Sequence, residues 1–275
     1  MALAKIVVER LLQQSRPTCW TDKEPKFRIG CPLYWLRLSS ASWGDAMTQA
    51  AMTQIVIFGA GKIADVMHAY LLGDPAFSVA GFTCDPAFMT GSEFRGLPLV
   101  SFEGVEAVFP PASFTMLVAI GYQDLNRVRA ERCKQAREKG YRLLSWVSPR
   151  AFVAKGCTLG DNCVVMEGAV LQPHAILGDD VFVWNGAVVG HHAAIGDHCW
   201  LPSNCTISST ASVGPFCFLG VNAAIGHGVT IGARSIVGAG TVITRSTAAD
   251  GVYVAPDTER HRLSSHKFMK IARLI

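Results

Sequence analysis

The chain has 275 residues, half of them hydrophobic, enough to bury the cores of two domains. Its formal net charge is +4, but residues 1–51 hold seven Lys/Arg against four Asp/Glu, so the remainder is close to neutral and carries no basic stripe for a nucleic acid. No apolar run approaches the ~18 residues of a membrane-crossing helix, and no apolar stretch with a small-residue cleavage site opens the chain. Residues 1–51 lack steady periodicity and contain Pro17, Pro25, Gly30 and Pro32. They read as a flexible extension rather than a segment docking on a partner through Trp20, Tyr34 and Trp35.

Residues 52–148 read as a small Rossmann-like α/β domain with a parallel sheet. The expected elements are a buried strand Ile55–Phe58, a helix Asp65–Leu72 and a strand Ser78–Thr83. A strand Thr115–Ile120 follows, then a charged helix Leu125–Lys139 closed by Gly140, and a last strand Arg142–Val147. Gly59-Ala60-Gly61-Lys62-Ile63-Ala64 follows a strand and opens a helix, and Asp85 stands 21 residues beyond Ala64. That pattern suits an anion cradled by backbone N–H groups at a helix N-terminus, with an acid in reach of a ribose hydroxyl. Gly121, at the end of the Thr115 strand, joins this candidate nucleotide site. A glycine turn needed only for packing is the competing reading. About 97 residues are too few for a full dinucleotide-binding domain, so a mononucleotide, as in a nucleotide-linked sugar, fits better.

From Val153 to Ile243 every sixth residue is Leu, Ile or Val, sixteen times without a slip. Two positions before each stands a small or β-branched residue, and nine of the sixteen are followed by Gly. A period of six fits neither helix nor alternating strand; it is the signature of hexapeptide repeats wound into a parallel β-helix, three hexads to an 18-residue coil. Gly after the aliphatic residue is expected to relieve a tight corner. The β-helix is expected over residues 149–250, with 251–275 as a C-terminal tail. Cys157, Cys163, Cys199, Cys205 and Cys217 take the small inward position and act as packing residues, implying a reducing, cytoplasmic setting. Flat exposed faces favour association as a trimer.

Counting by 18 stacks Ser209 on His191 and His227 above it, His192 on His174, and His198 on Asp180. His191 and His192 fall at an outward corner, and Asn185, Trp184 and Trp200 on adjoining coils suggest a pocket with them. The stretch Gly186-Ala187-Val188-Val189-Gly190-His191-His192-Ala193-Ala194-Ile195-Gly196-Asp197, with Cys217–Asn222 and Val237–Gly240, resembles the hexapeptide-type sugar O-/N-acyltransferases. That family includes sialic acid O-acetyltransferase, the UDP-4-amino-sugar N-acetyltransferase of the bacillosamine pathway and perosamine N-acetyltransferase. The resemblance covers residues 54 to about 255. It implies a left-handed β-helix in a homotrimer, acetyl-CoA as co-substrate in the groove between two β-helices, and a nucleotide-linked sugar on the N-terminal domain. It further implies synthesis of bacterial surface polysaccharide or glycan. His191 matches the family's general base, and Trp200, Val221 and Ala239 match positions lining the acyl-CoA groove. Backbone N–H groups from Gly220 through Val221 to Asn222 are candidates to stabilise an oxyanion.

This sequence departs from the family at three places. His192 stands where an acid often follows the base, Trp200 where a His often lies, and Lys62-Ile63-Ala64 takes its place in a glycine loop that usually reads Gly-x-x-Gly-His-Gly or Ala. Two other functions compete. A non-catalytic nucleotide-sugar binding module would keep the fold without turnover. A γ-carbonic-anhydrase-like metalloenzyme would use His191 and His227, but its third ligand falls near Gly232, which cannot coordinate; no metal is expected.

Overall fold

A computed structural model describes residues 52–272; the expectations for residues 1–51 lie outside them. The N-terminal part contains β1 (Thr53–Phe58), α1 (Lys62–Leu72), β2 (Phe77–Cys84), β3 (Glu93–Phe94), β4 (Leu97–Ser101), α2 (Val105–Val108), β5 (Thr115–Val118), α3 (Arg127–Glu138) and β6 (Arg142–Leu143). The sheet order is β3-β4-β2-β1-β5-β6, parallel except for the β3/β4 pair. Alternation along β1 sends Ile55 and Ile57 to the face covered by α1 and the β-helix. Val56 and Phe58 point to the opposite face, against Phe102, Phe109 and Tyr141. The β3/β4 pair was not legible in the sequence, being short and without alternation.

Three element boundaries differ from expectation for identifiable reasons. Helix α1 starts at Lys62 rather than Asp65, because Gly61 already serves as its N-cap. Helix α3 starts at Arg127 rather than Leu125, because Asp124, Leu125 and Asn126 hold left-handed φ values of 47°, 47° and 67°. The strand expected from Arg142 to Val147 is two strands. β6 ends at Leu143, whose successor Leu144 bonds to Met116, and Trp146–Val147 already belongs to the β-helix. Ser145 is the hinge between them: its hydroxyl donates to Gly160 O at 2.6 Å and accepts from Cys163 N at 2.9 Å.

From Trp146 onward, two-residue strands recur every six residues to Val242–Ile243, and after an irregular stretch Val252–Tyr253 adds one more. The β-helix thus begins before residue 149 and takes in part of the segment expected as a tail. The strands stack into three parallel sheets of seven, six and five strands, a left-handed parallel β-helix. Pairing steps by 18 residues on each face: Val164 with Phe182, Val170 with Val188, Ile176 with Ala194. We call these the first, second and third faces. The inward aliphatic and small residues from Cys163 to Val237 form one buried core, against which the partly buried Cys157 and Leu159 pack. Burial pushes the thiols of Cys163 and Cys205 up to about 12, so they are neutral packing groups, not nucleophiles.

The corners correct the reading of the glycines. The left-handed conformation falls on the third residue after each aliphatic, at every corner from Gly156 to Gly240, and is held by residues as different as Asn162, His192, Phe216 and Arg234. Glycine directly after the aliphatic serves the stacking of coils instead. A Cβ on Gly196 would lie 2.7 Å from Pro215 N, and one on Gly214 2.6 Å from Ala233 N. The coil above leaves no room there for any side chain.

The first face carries Trp146, Val164, Phe182, Trp200 and Phe218 outward, and these pack into the core of the α/β domain. Across this junction Arg129 of α3, fully buried, meets the buried Asp180 at a corner between the third and first faces, Nε donating to Oδ1 at 2.6 Å. Its Nη2 donates to Asp180 O at 3.0 Å and its Nη1 to Asn126 Oδ1 at 3.0 Å. Asn162 and His198, one coil to either side, reach the same carboxylate at 2.8 and 2.9 Å. The guanidinium lies over the Phe182 ring, 4.5 Å from its centre, and 5.3 Å from that of Trp200. Removing one partner would leave the other charge buried and uncompensated, a loss of about 3–5 kcal/mol. Arg129→Met is therefore expected to lower stability by about that amount, and Asp180→Asn added to it should recover a large part. Urea unfolding of the two variants checks this; an Arg129→Met protein as stable as wild type would show that the pair does not hold the junction.

Candidate active site

The glycine turn lies where sheet order reverses, between β1, which leads to β2 on one side, and β5 on the other. Ligands of open α/β sheets bind at such switch points, beyond the carboxyl ends of the strands. Two adjoining clefts open there. One, of about 390 Å³, is lined by Gly59, Gly61, Asp85, Phe88, Gln123 and Val128 among others. The other, of about 460 Å³, is lined by Gly61, Lys62, Ile63, Gly121, Tyr122 and Gln123 among others. Gly59 has φ +133° and sits so close to β5 that a Cβ would meet Ala119 O at 2.7 Å. At Gly61 a Cβ would meet nothing within 4 Å, so this backbone faces the open cleft. No side chain caps the N-terminus of α1, which leaves its first N–H groups and the positive end of the helix dipole toward the same space. Ala64 is buried under the turn.

Asp85 stands at the rim of the first cleft, but not alone. Arg132 of α3 donates to its Oδ2 through Nε at 3.1 Å and Nη2 at 2.9 Å. Sequence reasoning missed Arg132, since nothing local links two residues 47 positions apart. It also missed Tyr122, whose ring packs 4.8 Å from Phe218 and 5.3 Å from Trp200. Tyr122 thereby joins the cleft to the first face of the β-helix.

His191 and His192 are exposed at the corner between the second and third faces. Their Nδ1 atoms are 3.2 Å apart. The ring of His192 packs on His174 of the coil below, 4.8 Å between centres, as the count by 18 required. Gln172 Oε1 accepts from the backbone N–H of His191 at 3.0 Å. Two coils above His191, His227 shares a hydrogen bond of 3.0 Å with Ser209. Among the described residues no group of three His, Cys, Asp or Glu is placed to hold a metal ion.

The expected pocket of His191, His192, Asn185, Trp184 and Trp200 is not formed within one chain. Trp184 and Asn185 lie at the corner between the first and second faces, the width of the second face away from His191. Trp200, only 4 % exposed, is on the first face beneath the α/β domain, stacked on Phe182 at 5.2 Å. Gly220, Val221, Asn222 and Ala239 line the same first–second corner as Asn185, with Val221, Asn222 and Ala239 exposed. Two of the backbone donors considered for an oxyanion are already committed: Gly220 N–H bonds to Val237 O and Asn222 N–H to Ser203 O. Stacking of the coils uses them, a cost the period alone does not reveal.

A family profile described as bacterial transferase hexapeptide (six repeats) matches residues 174–209 and 210–245. Among solved structures, PerB from Caulobacter crescentus, in complex with CoA and GDP-perosamine, is 30 % identical with a TM-score of 0.67. That match covers 74 % of this chain and 95 % of PerB. The acetyltransferase domain of PglB from Neisseria gonorrhoeae FA1090 is 25 % identical with a TM-score of 0.65, over 74 % of this chain and 96 % of that one. WeeI from Acinetobacter baumannii AYE, 20 % identical with a TM-score of 0.50, shares the fold. No curated protein matches the chain by sequence. With a 30 % identical relative matched over almost its whole length, a repeat profile on the coils and a two-domain fold in common, the chain belongs to the hexapeptide-repeat sugar O-/N-acyltransferases and is an acyl-CoA-dependent acyltransferase.

Proposed function

We propose that this enzyme transfers an acetyl or similar acyl group from CoA to an amino or hydroxyl group of a nucleotide-linked sugar, at a site shared by two copies of the chain in a homotrimer. One observation carries the shared site. His191 and the corner of Val221, Asn222 and Ala239 occupy opposite edges of the second face, so they meet only if the corner of one copy is set beside that of another. The second face also presents Phe152, Val170, Val188, Thr206, Ala224 and Val242 outward, a largely apolar stripe in which Phe152 and Val242 are 60 % and 65 % exposed. Such a stripe supports burial against a second copy.

The acceptor's nucleotide is assigned to the cleft of Gly59, Gly61, Lys62, Ile63, Ala64, Asp85 and Gly121. Its phosphates would meet the N-terminus of α1, and Asp85, steadied by Arg132, would meet the ribose. His191 takes the proton of the attacking amine or hydroxyl as that group adds to the thioester carbonyl, with no covalent enzyme intermediate. Loss of the CoA thiolate then completes the transfer. Val221 N–H is the remaining backbone donor of its corner for the oxyanion. Trp200 acts by seating the cleft on the β-helix through Tyr122. The GDP-perosamine bound to PerB supports the acceptor class. We place the enzyme in the cytoplasm, in synthesis of a bacterial surface glycan; its described cysteines are all free thiols, which supports a reducing compartment.

Acetyl-CoA turnover with a panel of nucleotide-linked amino sugars tests the reaction, and binding without turnover would favour a non-catalytic module. His191→Asn should lower kcat by about 10²–10⁴-fold with little change in KM for acetyl-CoA. A variant keeping more than about a tenth of the rate across pH 6 to 9 would remove proton abstraction from its role. Gly61→Val should fill the cleft and weaken nucleotide-sugar affinity in calorimetry while leaving acetyl-CoA affinity intact; unchanged sugar binding would sink the cleft assignment. For the shared site, inactive His191→Asn and Ala239→Trp chains, unfolded and refolded together in equal amounts, should regain about a quarter of the wild-type rate through mixed trimers. No recovery from mixed trimers would put each site within a single copy.

A further inference from the structure

We infer that the C-terminal tail is a peripheral membrane anchor, in which a short basic amphipathic helix lies on an anionic phospholipid surface. This rests on the tail alone and not on the reading of the reaction. After Val252–Tyr253 the chain makes one more bond to the β-helix, Ala255 N–H donating to Thr241 Oγ1 at 3.0 Å. From Pro256 to Ala272, among the described residues, no hydrogen bond or ion pair ties the chain to the rest of the molecule, and no residue is buried. The regular part of this segment is a helix, α4 (Ser265–Ile271), capped by Ser264, whose Oγ accepts from Lys267 N–H at 3.5 Å.

At about 100° per residue, Phe268, Met269, Ile271 and Ala272 fall on one side of α4, and His266, Lys267 and Lys270 on the other. The apolar side is open: Phe268 is 48 % and Ile271 70 % exposed. A helix of seven residues is marginal by itself in water, where stability comes from burying an apolar face. Its first turn carries His266 and Lys267 and no acid. Those cations oppose the helix dipole instead of supporting it, so they are placed for something outside the helix.

Charge identifies the partner. Residues 52–259 hold 13 Lys/Arg against 17 Asp/Glu, whereas Arg260 to Ala272 contain two Arg, two Lys and two His and no acid. An anionic surface is therefore attracted by the tail and repelled by the body. A nucleic acid would use the cations but leave the apolar side in water. A folded protein partner would need about 800 Å² of each surface, more than one side of so short a helix offers. An anionic bilayer uses both sides. Its phosphates meet Lys267 and Lys270, with Arg260 and Arg262 on the approach, while Phe268 and Ile271 enter the boundary between headgroups and acyl chains. The helix is too short to cross, so attachment is to one leaflet. The nine residues 256–264 reach up to about 30 Å, which lets α4 lie on a surface while the clefts and corners of the body stay open. Cyclic symmetry in the proposed trimer would set three such helices at one height on its axis, facing one plane, and multiply the attachment.

The test is co-sedimentation of the full-length enzyme with vesicles of phosphatidylcholine alone and of equal parts phosphatidylcholine and phosphatidylglycerol. The enzyme should bind the anionic vesicles and not the neutral ones, more weakly as salt shortens the Debye length from ~30 Å at 0.01 M to ~3 Å at 1 M. Lys267→Glu with Lys270→Glu should lower the partition coefficient roughly thirtyfold or more. Phe268→Ser with Ile271→Ser, which keeps every charge, should lower it about tenfold. Both variants should match wild type in thermal midpoint and in acetyl-CoA affinity by calorimetry, since no buried contact is touched. Failure of the wild-type enzyme to bind anionic vesicles overturns the anchor. Undiminished binding by the Phe268→Ser, Ile271→Ser variant overturns the docked helix and leaves charge attraction alone. A loss of acetyl-CoA affinity in the Lys267→Glu, Lys270→Glu variant assigns these cations to the phosphates of CoA instead, and capture of duplex DNA in preference to vesicles assigns them to nucleic acid; either result also overturns the anchor.

Discussion

Each coil of the β-helix must return to its starting point after 18 residues, because its three short strands bond directly to those of the next coil. That return is the constraint on which the rest of the molecule depends. It places chemically chosen residues in vertical files: Asn162, Asp180 and His198 on one corner, His174 and His192 on another. It also consumes backbone groups and space. The N–H groups of Gly220 and Asn222 are bonded, and the glycines after the aliphatic residues lie against the next coil. A residue inserted into any coil would turn the inward row outward and shift every file above it.

The α/β domain is joined to this prism as part of the same core. Phe182 and Trp200, on an outer face, are buried with Ile55 and Met67 of the N-terminal sheet and helix. The apolar contact supplies most of the attraction, since it removes large aromatic surfaces from water. The buried Arg129–Asp180 pair contributes registration rather than net energy. Its desolvation nearly cancels its Coulomb gain, but an offset by one coil would strand both charges. This also accounts for the left-handed run Asp124–Asn126, which turns the Asn126 amide toward Cys217 O and the Arg129 guanidinium.

The consequence for the candidate site is that its groups stand on different edges. The cleft, Tyr122 and the corner of Val221 and Ala239 lie toward the first face; the imidazoles lie across the second. A fold whose inward positions are all spent on packing can place chemistry only at its corners, so a site needing several groups is assembled from corners of different chains or from an added domain. In this chain the corner between the second and third faces carries a pair of adjacent imidazoles, His191 and His192.

Much of this was legible in the sequence because the repeat is periodic and local. The inward row, the packing cysteines, the stacking of His192 on His174 and of His198 on Asp180, and the glycine turn opening a helix all follow from counting, since each depends on a fixed number of residues along the chain. What counting could not reach was decided by contacts between distant segments. Arg132 beside Asp85, Arg129 inside the junction, Ser145 as the hinge and Trp200 buried under Tyr122 require the α/β domain to be seated on a particular face of the prism. Trp184 and His191 look adjacent at a separation of seven residues, yet a corner and a strand intervene and set them on different edges. The period determines where a residue stands on its own coil; only the packing of the two domains decides which face is covered and what each corner is left to meet.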